Sequence, residues 1–464
     1  MAVLALSLAL TPGDASAGAT PSDDYRDEAE RITAAALASD GAWRKLTHLC
    51  DRIGHRIVGS PALDRAIDWA LEAMALDGLE NVRRQRVTVG HWERGEERAV
   101  LLQPRRMELA MLGLGRSVGT PPGGVTAEVV VVPDFDTFHA LPDDAVEGRI
   151  VLWNAPFTTY SATVAYRWSG AEEAAKRGAV ASLVRTVGRR SLQNPHTGVQ
   201  APWEDGARAI PAAALSVEDA AMLARLAESG ERVVVRLEMG ARHFSDVESA
   251  NVLAEITGRE LPEEIVVIGG HLDSWDVGQG AHDDGGGCVI SMEAVRILHE
   301  LGLRPRRTVR VVLWTEEESG GAGGRAYRKN PGTAAERHVA AIESDGGVEA
   351  PSGFGVTVWK PGGRDVDTER QDRALRVLKE LAPLFAESGA RDMAPGGGGA
   401  DISPLMEDGV PGLALQTPMD LYWDIHHSSA DTVDKVDPDA LRRNTAAMAV
   451  MAYVLAEMPG ELGD

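Results

Sequence analysis

The chain has 464 residues, 44% apolar and 25% charged, the profile of a soluble globular protein with two or three domains and a sizeable core. Its 47 lysines and arginines against 70 aspartates and glutamates leave a formal charge of −23. Such a surface repels phosphate backbones, and no basic cluster with interleaved aromatics offsets it, so nucleic acid is excluded as a partner.

The first segment, MAVLALSLALTPGDASAGAT, reads as a secretory signal. An apolar run from Ala2 to Leu10 precedes a small-x-small cleavage site at Ala15-Ser16-Ala17, although the positively charged start of such signals is missing. The expectation is a leader over residues 1–19, either cleaved on export to a secreted or periplasmic location or left as a disordered tail. No other apolar run approaches the ~20 residues that cross a bilayer. Helices are expected at Asp23–Ala38 and Pro61–Leu76, the second with Ser60 as N-cap ahead of Pro61.

Residues 20–118 then read as the first part of a main domain, and GTPPGG at Gly119–Gly124 breaks the chain. From there to Ser245 the runs are short and β-rich: EVVVVP, RIVLW, ASLV, IPAAALS and RVVVRLEM. Helical patterns fall at AEEAAKRG and at Val217–Glu228. Residues 119–245 are read as an insert, and 246–464 as the larger part of the main domain. There, strands NVLAEIT, EIVVIGG, TVRVVLW, HVAAIES and PGLALQT alternate with helices at Gly287–Leu301, Thr368–Ser388 and Pro438–Glu457. The fold class is therefore α/β, three layers with helices on both faces of a mixed sheet. Cys50 and Cys288 lie in no metal or redox spacing and read as free, buried thiols.

One stretch carries unusual chemistry: GGHLDSWDVGQGAHDDGGG at Gly269–Gly287, directly behind the apolar EIVVI. Glycine and aspartate are ordinary turn formers, so alone it could be a solvated loop. Three apolar strands, however, each end in metal-ligand residue types: His271, the Glu316-Glu317-Glu318 run, and Asp345. Open α/β sheets bind ligands along that carboxyl edge. With Asp283, and with His426 or His427 from WDIHHSSADT, the candidates are two histidines and three carboxylates. That donor set suits two divalent ions bridged by one carboxylate.

These blocks, with RTVRVVLWTEEESGG, ESDGG and HHSSADT in the same order, resemble the co-catalytic di-zinc exopeptidase family of the aminopeptidase and glutamate carboxypeptidase type. The similarity spans roughly residues 25–457 and includes TVAYRWSGAEEAAKRGAVASLVR and PHTGVQ. It implies two zinc ions per chain, one held by His271 and Asp345, the other by Glu318 and His427, with Asp283 bridging. The family pattern Glu-Glu-x-Gly, met here before Gly320, implies Glu317 as general base and Glu318 as ligand. The family spacing to Asp431 favours His427 over His426. Asp273 is implied to orient the His271 ring, either Tyr422 or His426 to stabilise the oxyanion, and the Asp283–Asp284 peptide to be cis. His282 departs from the family's apolar residue; it reads as facing away from the metals or as an extra polar wall.

The insert resembles a protease-associated domain that caps a cleft, against the simpler reading of a β-rich spacer. The implied activity is hydrolysis of dipeptides or short peptides with free termini, from the amino or the carboxyl end. A single-zinc glutaminyl cyclase-like acyltransferase and a metal-free receptor-like binding module are the readings from other classes. Expected partners are short peptides, with no membrane span, and a homodimer is compatible with the sequence.

Overall fold

The computed structural model describes residues 21–204, 206–330 and 337–463, so the leader expected at 1–19 lies outside the described residues. The described residues build two eight-stranded sheets. The first runs from edge to edge through Glu80–Glu93, Arg242–Ile256, Arg307–Trp314, Leu261–His271, Arg337–Glu343, Gly412–Gln416, Gly353–Thr357 and Asp392–Pro395. Its centre is parallel: Leu261–His271 pairs with Arg307–Trp314 on one side and Arg337–Glu343 on the other. His271 stands level with Trp314, and Gly269 with Glu343. The three carboxyl ends therefore finish together, as the sequence predicts.

Burial on both faces explains why the central strands carry the near-continuous apolar runs IVVI, VVLW and VAAI, with the buried Arg310 paired to Glu255 at 2.7 Å. Val266 and Ile268 join the larger core, under the helices Gly286–Glu300 and Pro438–Glu457, while Ile265 and Val267 pack in a smaller core with Trp314, Tyr327 and Leu405. The helix Pro61–Leu76 forms as expected, with the Ser60 side chain accepting the Leu63 amide at 3.3 Å. Glu80–Glu93 gives no clear apolar run in sequence because it is an edge strand. Only alternate residues near its middle are buried, and arginines occupy its exposed side.

The second sheet runs Met107–Leu109, Glu97–Gln103, Val234–Met239, Val125–Val132, Ile150–Trp153, Ala181–Arg185, Ala212–Leu215 and Met111–Gly113. Five of these strands fall within residues 119–245, but three lie upstream of the Gly119 break and pair into the same sheet. The helix expected around AEEAAKRG extends to Tyr160–Lys176. Cys50 and Cys288 are both free and buried. Among the described residues no helix is long and apolar enough to cross a membrane.

One buried cation fixes the loop that leads from His271 to Asp283. The Arg56 side chain is 0% exposed and donates to four carbonyl oxygens, those of Leu272 (2.7 Å), Gly54 (2.9 Å), Gln279 (2.7 Å) and Gly280 (3.0 Å). Gly280 has φ +58°, and a Cβ there would meet Arg56 Nη2 at 2.8 Å. Replacing Arg56 with methionine takes the nitrogen donor from the Leu272, Gly54 and Gln279 oxygens, while the Gly280 oxygen keeps the Gly285 amide at 3.0 Å, and each orphaned carbonyl costs at least about 1 kcal/mol. The expected loss is roughly 3–5 kcal/mol, read as a lower urea midpoint at unchanged slope.

Candidate metal centre

His271 closes its strand and is 1% exposed. Its Nδ1 lies 3.0 Å from the backbone oxygen of Asp273. Only an N–H can bond a carbonyl oxygen, so Nδ1 carries the proton and Nε2 turns inward. There Nε2 meets Asp283 Oδ1 at 3.1 Å and Asp345 Oδ1 at 3.7 Å. Burial alone would lower the His271 pKa, but Asp283 and Asp345 override it and hold the ring above its ordinary value. The environment demands a positive charge at that point, whether proton or metal.

His427 repeats the arrangement from the far side. Nδ1 is 3.3 Å from the Thr197 oxygen, while Nε2 is 3.1 Å from Glu318 Oε2 and 3.2 Å from Asp283 Oδ2. Thr197 also donates its amide to the His427 oxygen at 2.8 Å, so the PHTGVQ segment docks on this ligand. The result is two three-residue clusters, His271–Asp283–Asp345 and Asp283–Glu318–His427, each with ligand atoms within 4.8 Å of one another. Asp283 belongs to both.

The donor set fits divalent metal. Glu318 Oε1 is buried without a hydrogen-bond partner among the described residues, and Asp283 Oδ2 and Asp345 Oδ1 face only imidazole nitrogens, a costly state that coordination would relieve. Burial and the Asp283 charge push Glu318 up to about 7, and burial with Asp345 does the same to Glu343. Carboxylates that repel one another in a dry site are what a bound cation stabilises.

Asp431 anchors the bridging position. Its carboxylate accepts the amides of Ala281 (3.1 Å), His282 (2.8 Å) and Asp283 (3.1 Å). The Asp283–Asp284 peptide is cis. Asp273 reaches His271 through its backbone oxygen, its carboxylate standing 3.8 Å from Nδ1. That carboxylate receives the Glu317 and Glu318 amides at 3.2 and 3.4 Å instead. It thus holds the turn that sends two adjacent glutamates in different directions.

Glu317 belongs to neither cluster. It lines both a cavity of about 290 Å³ over the two clusters and a neighbouring one of about 1110 Å³. Burial raises its pKa well above the ordinary value, with Asp345, Glu318 and Glu343 adding to the shift. Tyr422 and His426 both line the smaller cavity, with ring centres 5.0 Å apart. Burial and the Asp283, Asp345 and Glu318 charges keep the Tyr422 phenol protonated, and burial keeps His426 neutral. His282 takes no part in that cavity: its Nδ1 accepts the Val348 amide at 3.2 Å, bracing the turn after Asp345.

Arg167 and Tyr160 are site residues that sequence reasoning passes over. Both line the metal cavity, and Arg167 is 4% exposed, donating to the Thr197 oxygen (3.2 Å) and the Tyr160 hydroxyl (2.7 Å). The signal for Arg167 was present in TVAYRWSG, which contributes to the family resemblance but has no ligand spacing of its own, and Tyr160 lies three residues upstream of that segment.

The Peptidase family M28 model matches residues 251–452, a span that contains all five clustered residues. Carboxypeptidase Q of Bos taurus is 44% identical over 437 residues, covering 94% of this chain and 90% of that protein. The chain belongs to peptidase family M28. It is a metallo-exopeptidase, which sets aside the acyltransferase and binding-module readings. A solved structure of a peptidase M28 precursor from Shewanella amazonensis SB2B aligns with TM-score 0.88 and 33% identity, covering 95% of this chain and 98% of the other. A zinc aminopeptidase from Bacillus subtilis, at 19% identity and TM-score 0.65 over 92% and 97% of the chains, shares the fold.

Proposed function

We propose that this M28 peptidase holds two zinc ions and hydrolyses dipeptides or short peptides with free termini outside the cytoplasm. The observation that carries the reading is the shared ligand: Asp283 stands in both clusters, 3.1 Å from one imidazole and 3.2 Å from the other. Imidazole nitrogen and carboxylate oxygen, three protein ligands to each site, form the usual donor set of catalytic zinc. His271 and Asp345 would hold one ion, and Glu318 and His427 the other. Bound zinc polarises a carbonyl and lowers the pKa of water from about 15.7 towards 7.

The chain's own groups do the rest. Glu317 accepts the proton of the attacking water and passes it to the leaving amine. Its position outside both clusters, facing both cavities, supports that role. The protonated Tyr422 phenol donates to the developing oxyanion, with His426 stacked against it. Asp273 acts at one remove, holding the glutamate turn and the His271 ring.

The second sheet, with its core in residues 119–245, caps the cleft. Tyr160, Arg167 and Val199 from this part line the metal cavity, which supports a gate over a spacer. Metal analysis of the purified protein should find two zinc ions per chain. The enzyme should cleave a dipeptide at least tenfold faster than a long unstructured peptide. One ion or none would overturn the dinuclear reading, and equal rates on the two substrates would remove the gate.

A further inference from the structure

The two imidazoles of the metal centre are supported from different parts of the chain. His271 is held by its own neighbourhood: its amide donates to Asp284 Oδ2 at 3.0 Å, its oxygen accepts the Cys288 thiol at 3.1 Å, and Nδ1 donates to the Asp273 oxygen. His427 is held from further away. Its φ is +58°, a left-handed backbone that a residue with a Cβ keeps where its surroundings impose it. The Thr197 amide donates to its oxygen, the Thr197 oxygen faces its Nδ1, and the Trp275 ring centre lies 5.7 Å from its own. One residue on, the Ser428 hydroxyl accepts Asn194 Nδ2 at 2.7 Å.

Thr197 is 0% exposed and belongs to the part of the chain that builds the second sheet. Its hydroxyl donates to the Gly113 oxygen at 2.6 Å, on the strand Met111–Gly113, and the Gly113 amide donates to the Glu97 carboxylate at 2.9 Å. Arg94 adds a second tie. It donates to the same Gly113 oxygen and grips Asp276 with two nitrogens, at 2.8 and 2.5 Å. Asp276 follows Trp275 in the loop between His271 and Asp283, and Trp275 packs on Gly115, where a Cβ would meet its ring at 2.1 Å. Arg167 supplies a third tie, donating to the Thr197 oxygen at 3.2 Å. The backbone groups that reach His427 therefore come from an anchored segment.

We infer that Thr197 is a positioning residue for His427, so that the Glu318–His427 metal position is complete only while the second sheet is docked, whereas the His271–Asp345 position is independent of it. This rests on the dinuclear reading proposed above. A ligand imidazole that loses its outer hydrogen-bond partner typically loses about 10- to 100-fold in metal affinity. The coupling is reciprocal: an ion that binds the docked arrangement better tightens the docking by the same factor. Zinc at one of the two positions thus stiffens the cap over the cleft.

The test strips the full chain of metal and titrates zinc chloride back against a competing chelator, which resolves the two affinities. Thr197→Val removes the hydroxyl that anchors the segment and leaves the backbone groups at His427. It should weaken one zinc about 10- to 100-fold and spare the other, and Thr197→Ser should restore both. In a His427→Ala chain, which keeps only the His271–Asp345 position, adding Thr197→Val should change nothing. Asn194→Ala, at the half-buried end of the segment, should weaken the same ion more mildly and serves if Thr197→Val does not fold. Hydrogen exchange at residues 194–199 should slow as the second equivalent of zinc binds. Unchanged affinities in both variants, equal weakening of both ions, or an effect that persists in His427→Ala would overturn the inference. A wild-type chain that takes up a single ion would strike the dinuclear reading itself, and the inference with it.

Discussion

Replacing Asp283 with alanine is expected to empty both metal positions and take activity to background. The reason lies in ligand arithmetic. Each cluster offers three candidate ligands, and Asp283 is the one they share. Without it His271 and Asp345 form one half-site and Glu318 and His427 another, and two ligands are below the three that catalytic zinc sites use. The loss should exceed the ~10²–10⁴-fold that removing a general base alone produces. Zinc content per chain, measured after exhaustive dialysis, separates this outcome from a simple activity defect, and circular dichroism checks that the variant is folded. Two zinc ions and normal turnover in Asp283→Ala would overturn the site assignment.

The second large effect distinguishes two neighbours in sequence. Glu317→Gln should retain both zinc ions yet lose about 10²–10⁴-fold in kcat, because it removes a proton acceptor and no ligand. Glu318→Gln should lose affinity for one ion, since Glu318 Oε2 faces His427 Nε2 at 3.1 Å. The Asp273 carboxylate makes this division of labour physical: it pins both backbone amides, so the two side chains leave the turn in different directions. Titrating zinc back into each metal-free variant gives the readout. Swapped phenotypes would mean that the register of the three glutamates is off by one.

Much of the site was legible because its signals are local. Apolar runs such as EIVVI, VRVVLW and VAAI encode strands buried on both faces, and parallel pairing brings their carboxyl ends level. A ligand-type residue just past each run therefore lands on one edge, whatever else the chain does. Free thiols at Cys50 and Cys288 and the N-cap at Ser60 were equally readable from composition and short-range pattern. Glu80–Glu93 was not, because an arginine-rich edge strand buries too little to leave an apolar run.

What the sequence determined by itself was the catalytic sheet and the residue types at its edge; which partners those residues meet was decided by tertiary structure. His427 joins Asp283 and Glu318 across a large separation in sequence, and its ring is set by Thr197 from the other part of the chain. Two of the three strands upstream of Gly119, Glu97–Gln103 and Met111–Gly113, join the second sheet through antiparallel pairing with distant strands, which no local break can announce. Asp273 supports His271 through its backbone oxygen, a group every residue has, and so leaves no trace in composition. Tyr160 and Arg167 carry no ligand spacing in sequence, and only tertiary packing brings them to the cavity over the two clusters.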